Sequence, residues 1–116
     1  MLIITQKKVA LEEIEKMAED FDGYIKLVVD VGKKILAGGG QRHFEAEQQL
    51  LEKGSEQKDL WGGGLDLETK EIDYNSIINL RPSQNNPSRD ILLQEVRQKF
   101  DSLVKNYLAE IWITKP

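Results

Sequence analysis

Apolar and polar positions alternate most clearly over residues 24–31. Ile25, Leu27, Val29 and Val31 fall on one side, and Tyr24, Lys26, Val28 and Asp30 on the other. A two-residue period of this kind is a strand with one buried face and one mixed face. Gly32 and Lys33 form a turn into a second apolar run at 35–37, so the pair reads as a β-hairpin. Upstream, Leu2, Ile3 and Ile4 make a short strand that ends near Thr5. Between them Leu11, Ile14, Met17, Ala18 and Phe21 recur at three- and four-residue steps, with Glu12, Glu13, Glu15, Lys16 and Asp20 opposite. That is an amphipathic helix, with acids at its positive end and Gly23 as its stop.

Past the glycines at 38–40 the period returns to that of a helix. Phe44, Ala46, Leu50 and Leu51 form its stripe over residues 42–52, and Gly54 ends it. Leu60 and Trp61 open another extended segment, in which Leu65 and Leu67 alternate with Gly64, Asp66 and Glu68. Thr69 and Lys70 look like a hairpin turn into a return strand with Ile72, Tyr74, Ile78 and Leu80 on one face. Glycines at 62–64 inside a strand predict a bulge or a close approach by another backbone. Residues 81–87 hold two prolines and three amides and read as a loop. Ser88 then suits the N-cap of a last helix striped by Leu92, Val96, Phe100, Leu103, Tyr107 and Ile111. The order strand, helix, hairpin, helix, hairpin, helix predicts one α+β domain over residues 1–116. Its antiparallel sheet has four or five strands built from two hairpins, and three helices pack mainly on one face.

Composition narrows the function classes. The chain carries 16 Lys and Arg against 20 Asp and Glu, a formal charge of −4, and its basic residues are spread along the sequence. Duplex nucleic acid, which demands a basic face, is an unfavourable partner. Cysteine is absent, which excludes disulfides, thiol catalysis and thiolate metal sites. The single histidine excludes a multi-histidine metal centre within one chain and leaves only oxygen-ligand metals such as magnesium or calcium open; no metal or other cofactor is assigned. No apolar run approaches the roughly 20 residues of a membrane span. Residues 1–5 are too short for a signal peptide, so a cytoplasmic location is expected by default.

Four stretches hold candidate chemistry. His43 and Glu47 stand four apart and share a helical face, the minimum pair for a carboxylate-oriented general base; a solvated surface pair is the plainer reading. Gly39 and Gly40 precede a helix, where free amides bind anions. The residues that follow, Gln41 and Arg42, are not the Lys-Ser/Thr of a phosphate loop, so a glycine linker is the plainer reading and Arg42 keeps a weaker anion site open. Arg81 and Arg89 flank a loop that includes Ser83 and Ser88, a set suited to phosphate or carboxylate, against the alternative of an N-cap with surface ion pairs. Trp61, beside glycines, offers a stacking platform or, more commonly, core. Asp30, Asp66 and Asp73 have no calcium-loop spacing.

Val29, Asp30, Ile35, Leu36, Ala37, Gly39, Gly40, His43, Glu45, Glu47, Leu50, Leu51, Gly54, Ser55, Leu60, Trp61 and Gly62, with the later 78–83 block, Ser88 and Arg89, form a pattern. It resembles a small prokaryotic family of unknown function, over most of the chain. The likeness departs after Gly62, where Gly63 and Gly64 replace bulkier residues. The resemblance implies no activity. Two function classes follow. One is a non-catalytic binding or interaction module that self-associates through extra apolar residues on the mixed strand face, such as Val28. The alternative is a small enzyme acting on an anionic, nucleotide- or RNA-like substrate, with His43 as general base and Arg81 and Arg89 clamping phosphate. The second requires His43 and the 81–89 loop to converge on one pocket.

Overall fold

A computed structural model of the protein describes residues 1–113. Five strands form one antiparallel sheet in the order β1-β3-β2-β4-β5: β1 (Ile3–Thr5), β2 (Tyr24–Asp30), β3 (Ile35–Gly38), β4 (Leu60–Asp66) and β5 (Ile72–Asp73). The helices are α1 (Leu11–Met17), α2 (His43–Glu52), α3 (Gln94–Tyr107) and the short α4 (Glu110–Ile113). The predicted α+β class, both hairpins and all three longer helices are present.

Alternation along β2 divides the packing. Ile25, Leu27 and Val29, with Leu36, Trp61 and Leu65 from its neighbours, meet Ile14 and Met17 of α1 and Phe100, Leu103 and Val104 of α3. On the opposite face Val28, Ala37 and Leu60 meet Ala46 and Leu50 of α2, together with Ile78. Two of the three longer helices thus share one face and α2 takes the other. Val28 is fully buried under α2, so the apolar position on the mixed face serves the core and offers no surface for self-association.

α2 covers only part of its face. Its first residue, His43, sits over β4, and the sheet beyond it carries Tyr24 and Lys26 on β2 and Asp73 on β5 with no helix above them.

Two expected elements are shorter than their patterns suggest. The return strand stops at Asp73, and a 3₁₀ turn spans Ile77–Asn79, with the Ser76 hydroxyl accepting the Ile78 N–H. The side chain of Asn79 stands in for the missing strand. Its Oδ1 accepts the Gly62 N–H at 2.8 Å, and its Nδ2 donates to the Gly62, Tyr74 and Arg89 carbonyls at 2.9, 2.9 and 3.0 Å. The last helix begins at Gln94, not at Ser88; the Ser88 hydroxyl accepts the Asp90 N–H instead. Residues 86–92 form an irregular segment with bends at Ser88 and Arg89, held by Asn86, which donates to the Asn79, Ser88 and Asp90 carbonyls and accepts the Leu92 N–H. Buried asparagine amides supply here the bonds that regular structure would otherwise make. Phe21, expected in the α1 stripe, is 41% exposed, and the Lys26 ammonium lies 4.9 Å from its ring centre.

Candidate functional site

The uncovered end of the α2 face is a cleft of about 530 Å³. Lys26, Arg42, His43 and Arg89 line it, with Tyr24 and Asp73 at one wall and Phe44 and Ile77 at its lips. Three side-chain cations, brought from β2, the start of α2 and the 75–90 loop, meet one carboxylate. Asp73 is already engaged, since its Oδ2 accepts the Tyr24 hydroxyl at 2.6 Å and its Oδ1 the Asn75 N–H at 3.2 Å. Burial, then this hydrogen bond, push the Tyr24 phenol far above its usual range, so it stays protonated and holds Asp73. The guanidinium groups of Arg42 and Arg89 have no hydrogen bond or ion pair among the described residues.

The glycine run of β4 makes this cleft possible. Gly62 and Gly64 face it, paired in register with Val28 and Lys26. A Cβ at Gly62 would lie 2.7 Å from the Ser76 Cβ and 3.2 Å from the His43 ring, and one at Gly64 would overlap the Tyr24 hydroxyl. Gly63 points to the core, where a Cβ would overlap the Asp73 carbonyl. The strand runs through all three without interruption. There is no bulge, and the expected approach by another backbone holds at Gly63 alone, against Asp73; side chains of Ser76, His43 and Tyr24 are what crowd Gly62 and Gly64.

His43 is held by the same strand. Its Nε2 lies 2.7 Å from the Gly63 carbonyl oxygen. A carbonyl only accepts, so Nε2 carries the proton and Nδ1 of the neutral ring keeps its lone pair. Among the described residues Nδ1 has no partner, and it is not among the fully buried polar atoms. Burial lowers the His43 pKa below its ordinary 6.5; the Gly63 bond opposes this and the Lys26 charge reinforces it. Between the depressed pKa and 6.5 the unfolded chain binds a proton that the folded chain does not. Stability from this residue is therefore complete above pH 6.5 and is lost as the pH falls toward the folded pKa. Thermal melts from pH 7.5 to 5.5 should show the wild type losing more stability than His43→Gln. Parallel curves would show that the ring is not held neutral.

The other sequence-derived candidates lie elsewhere. Glu47 does not pair with His43; it is buried, its Oε2 has no partner, and its charge acts on Arg81. The Gly63 carbonyl has taken the place expected for the carboxylate. Arg81 is buried, with its guanidinium 4.0 Å from the Trp61 ring centre and donating to the Gln57 and Leu60 carbonyls. Trp61 is 2% exposed and belongs to the core. The Gly40 N–H is occupied by the Asp20 carboxylate at 3.1 Å and the Gly39 N–H by the Lys26 carbonyl, so these amides are not free for a ligand. Ser83 is exposed on a separate 3₁₀ turn, and Ser88 caps its own loop. The structure thus brings together His43, Arg42 and Arg89 and leaves out Glu47 and Arg81.

Tyr24, Lys26 and Ile77 were not singled out as site residues from the sequence; Asp73 was weighed only as a metal ligand, and Phe44 was expected in the packing stripe of α2 but is 57% exposed. Tyr24 and Lys26 could have been found as polar positions on a strand central enough to be covered on both faces. A second cleft, of about 460 Å³ against α3, includes Lys34, Glu95, Lys99 and Tyr107. There Lys99 and Glu95 already pair at 3.3 Å, and the Tyr107 hydroxyl donates to the Lys34 carbonyl. Among the described residues no group of three His, Asp or Glu side chains is placed to hold a metal ion, and no helix is long and apolar enough to cross a membrane.

Residues 2–107 match the model of a family described as protein of unknown function (DUF5674), and the chain belongs to that family. No curated protein and no solved structure matches it.

Proposed function

We propose that this member of the DUF5674 family is a binding module for a small phosphate-type anion, held in the cleft around His43. One observation carries the reading. In a chain of net charge −4, Lys26, Arg42 and Arg89 line a single cleft, and among the described residues both guanidinium groups there lack an anionic partner. Gathering like charges costs energy, and a bound anion offsets that cost through charge-assisted, fork-shaped hydrogen bonds. Reversing Arg89 to Glu should abolish binding of inorganic phosphate or pyrophosphate. Truncating it to Ala should weaken binding tenfold to a hundredfold, the roughly 1.5–3 kcal/mol of a hydrogen bond to a charged group. Thermal shift and calorimetric titration check this. A ligand at a hundredfold excess over its Kd raises stability by about 2.7 kcal/mol. No shift with either anion, or a shift unchanged in Arg89→Glu, would end the proposal.

A second reading has its own observation. His43 is oriented by a main-chain carbonyl and keeps an unpartnered Nδ1, the arrangement of a general base. On that reading the cleft turns over its ligand, and phosphorus NMR of the mixture over hours would show a product that His43→Gln does not form. Loss of binding in the same variant, with no product from the wild type, favours the binding module.

A further inference from the structure

We infer that the ligand of this cleft is a nucleoside phosphate, its phosphate on Arg42 and Arg89 and its base against Phe44 and Ile77. This rests on the anion reading above and adds the class of molecule.

The added observation is apolar. Phe44 is 57% exposed and Ile77 55%, and both line the cleft that holds the three cations. They come from different elements, the first turn of α2 and the 3₁₀ turn after Ser76. Phe44 departs from the α2 stripe that the sequence predicts, and Ile77 belongs to no predicted stripe. α2 turns Ala46, Glu47 and Leu50 inward and Phe44 outward, while the neighbouring turn buries Ile78 and Asn79 and presents Ile77. Each backbone is fixed: the Glu45 carboxylate accepts the Arg42 N–H at 3.0 Å just before Phe44, and the Asn79 N–H is bonded to the Ser76 carbonyl around Ile77. Two large apolar side chains are thus held in water beside guanidinium groups that have no partner among the described residues.

Inorganic phosphate or a sugar phosphate would use the cations and leave both side chains wet. A flat ring covers them. Stacking of a base on an aromatic side chain contributes about 1–3 kcal/mol, and it needs no hydrogen-bond readout. The cleft volume of about 530 Å³ exceeds what a phosphate group fills and lies within the roughly 300–1,000 Å³ of small-molecule sites. A free nucleotide and the phosphorylated end of a single strand present the same chemistry. The net charge of −4 disfavours the long phosphate track that a duplex would require.

Calorimetric titrations of the full chain with AMP, ribose 5-phosphate, adenosine and a 5′-phosphorylated trinucleotide test the inference. AMP should bind at least tenfold tighter than ribose 5-phosphate, and adenosine more weakly than either. Phe44→Ala, which removes an exposed side chain, should erase the AMP advantage and leave ribose 5-phosphate affinity unchanged. Arg89→Ala should weaken both phosphates. Ribose 5-phosphate binding as tightly as AMP, or an AMP advantage that survives Phe44→Ala, would overturn the nucleoside assignment while the anion site stands. Failure of both phosphates to bind would overturn the two together. The trinucleotide arm assigns the source: tighter than AMP means a strand end, weaker means the free nucleotide.

Discussion

Asn79→Leu should destabilise the fold by about 2–5 kcal/mol, with the buried Gly62 N–H and carbonyl each losing a partner at about 1–3 kcal/mol, partly relieved by relaxation. Asn79 is fully buried, and its amide serves Gly62 on both N–H and carbonyl while also reaching the Tyr74 and Arg89 carbonyls. Leucine matches its shape and restores none of those bonds. Native domains hold only about 5–15 kcal/mol in total, so the variant should sit at the edge of unfolding. Urea denaturation followed by circular dichroism measures the loss. Asn79→Asp is the informative companion. It keeps the acceptor for Gly62 N–H but turns a donor into a second acceptor facing three carbonyls, so it should do no better than leucine. A cost below about 1 kcal/mol for either would mean that water replaces the amide. The same side chain joins stability to the site, because it ties the Arg89 backbone to Gly62 beside His43.

The second large effect is expected at Arg81. Removing it as Arg81→Ala should cost about 3–5 kcal/mol, the range for breaking a buried charged network from one side. Burial lowers the Arg81 pKa, and the charges of Glu47 and Asp59 oppose that. The guanidinium holds the Gln57 and Leu60 carbonyls and lies over Trp61. Without it, Glu47 is a buried carboxylate deprived of the guanidinium charge. Glu47→Gln introduced into Arg81→Ala should therefore recover part of the loss, although the same change in the wild type should be neutral or harmful. Arg81→Lys should also fall short, since an ammonium has no planar fork for two carbonyls and stacks poorly on indole. Equal effects of Glu47→Gln in both backgrounds would show that the two residues are not coupled. Because Arg81 lies outside the cleft, a folded Arg81→Lys protein should bind phosphate like the wild type.

Arg81 and Arg89 illustrate how far the sequence carries the site. They flank one polar loop and look equivalent along the chain. Arg81 is 9% exposed and spends its fork on carbonyls from a distant segment, while Arg89 is exposed and its guanidinium has no partner among the described residues. What separates them is whether main-chain acceptors from elsewhere arrive to compensate desolvation, and spacing carries no record of that. His43 and Glu47 fail as a pair for a related reason. Four residues apart on a helix places two side chains on one face, but the closer partner for the ring came from β4.

Element types and most of their order are legible in the amino-acid pattern alone. Periods of two and of three to four residues, turn glycines and the absence of cysteine act through local backbone preference or direct exclusion, and neither needs the rest of the chain. The glycines at 62–64 also announced a close approach by another backbone, which holds at Gly63, while side chains crowd the other two. Tertiary structure alone decided where the return strand ends, where the last helix begins and which charges meet. Asn79 and Asn86 replaced regular hydrogen bonding with side-chain bonds across the loop, a choice open only to residues already brought together. Lys26, Arg42 and Arg89, scattered in sequence, became one cationic cleft because α2 stops short of covering its sheet face. An electrostatic site depends on distance through space, and the fold sets that distance.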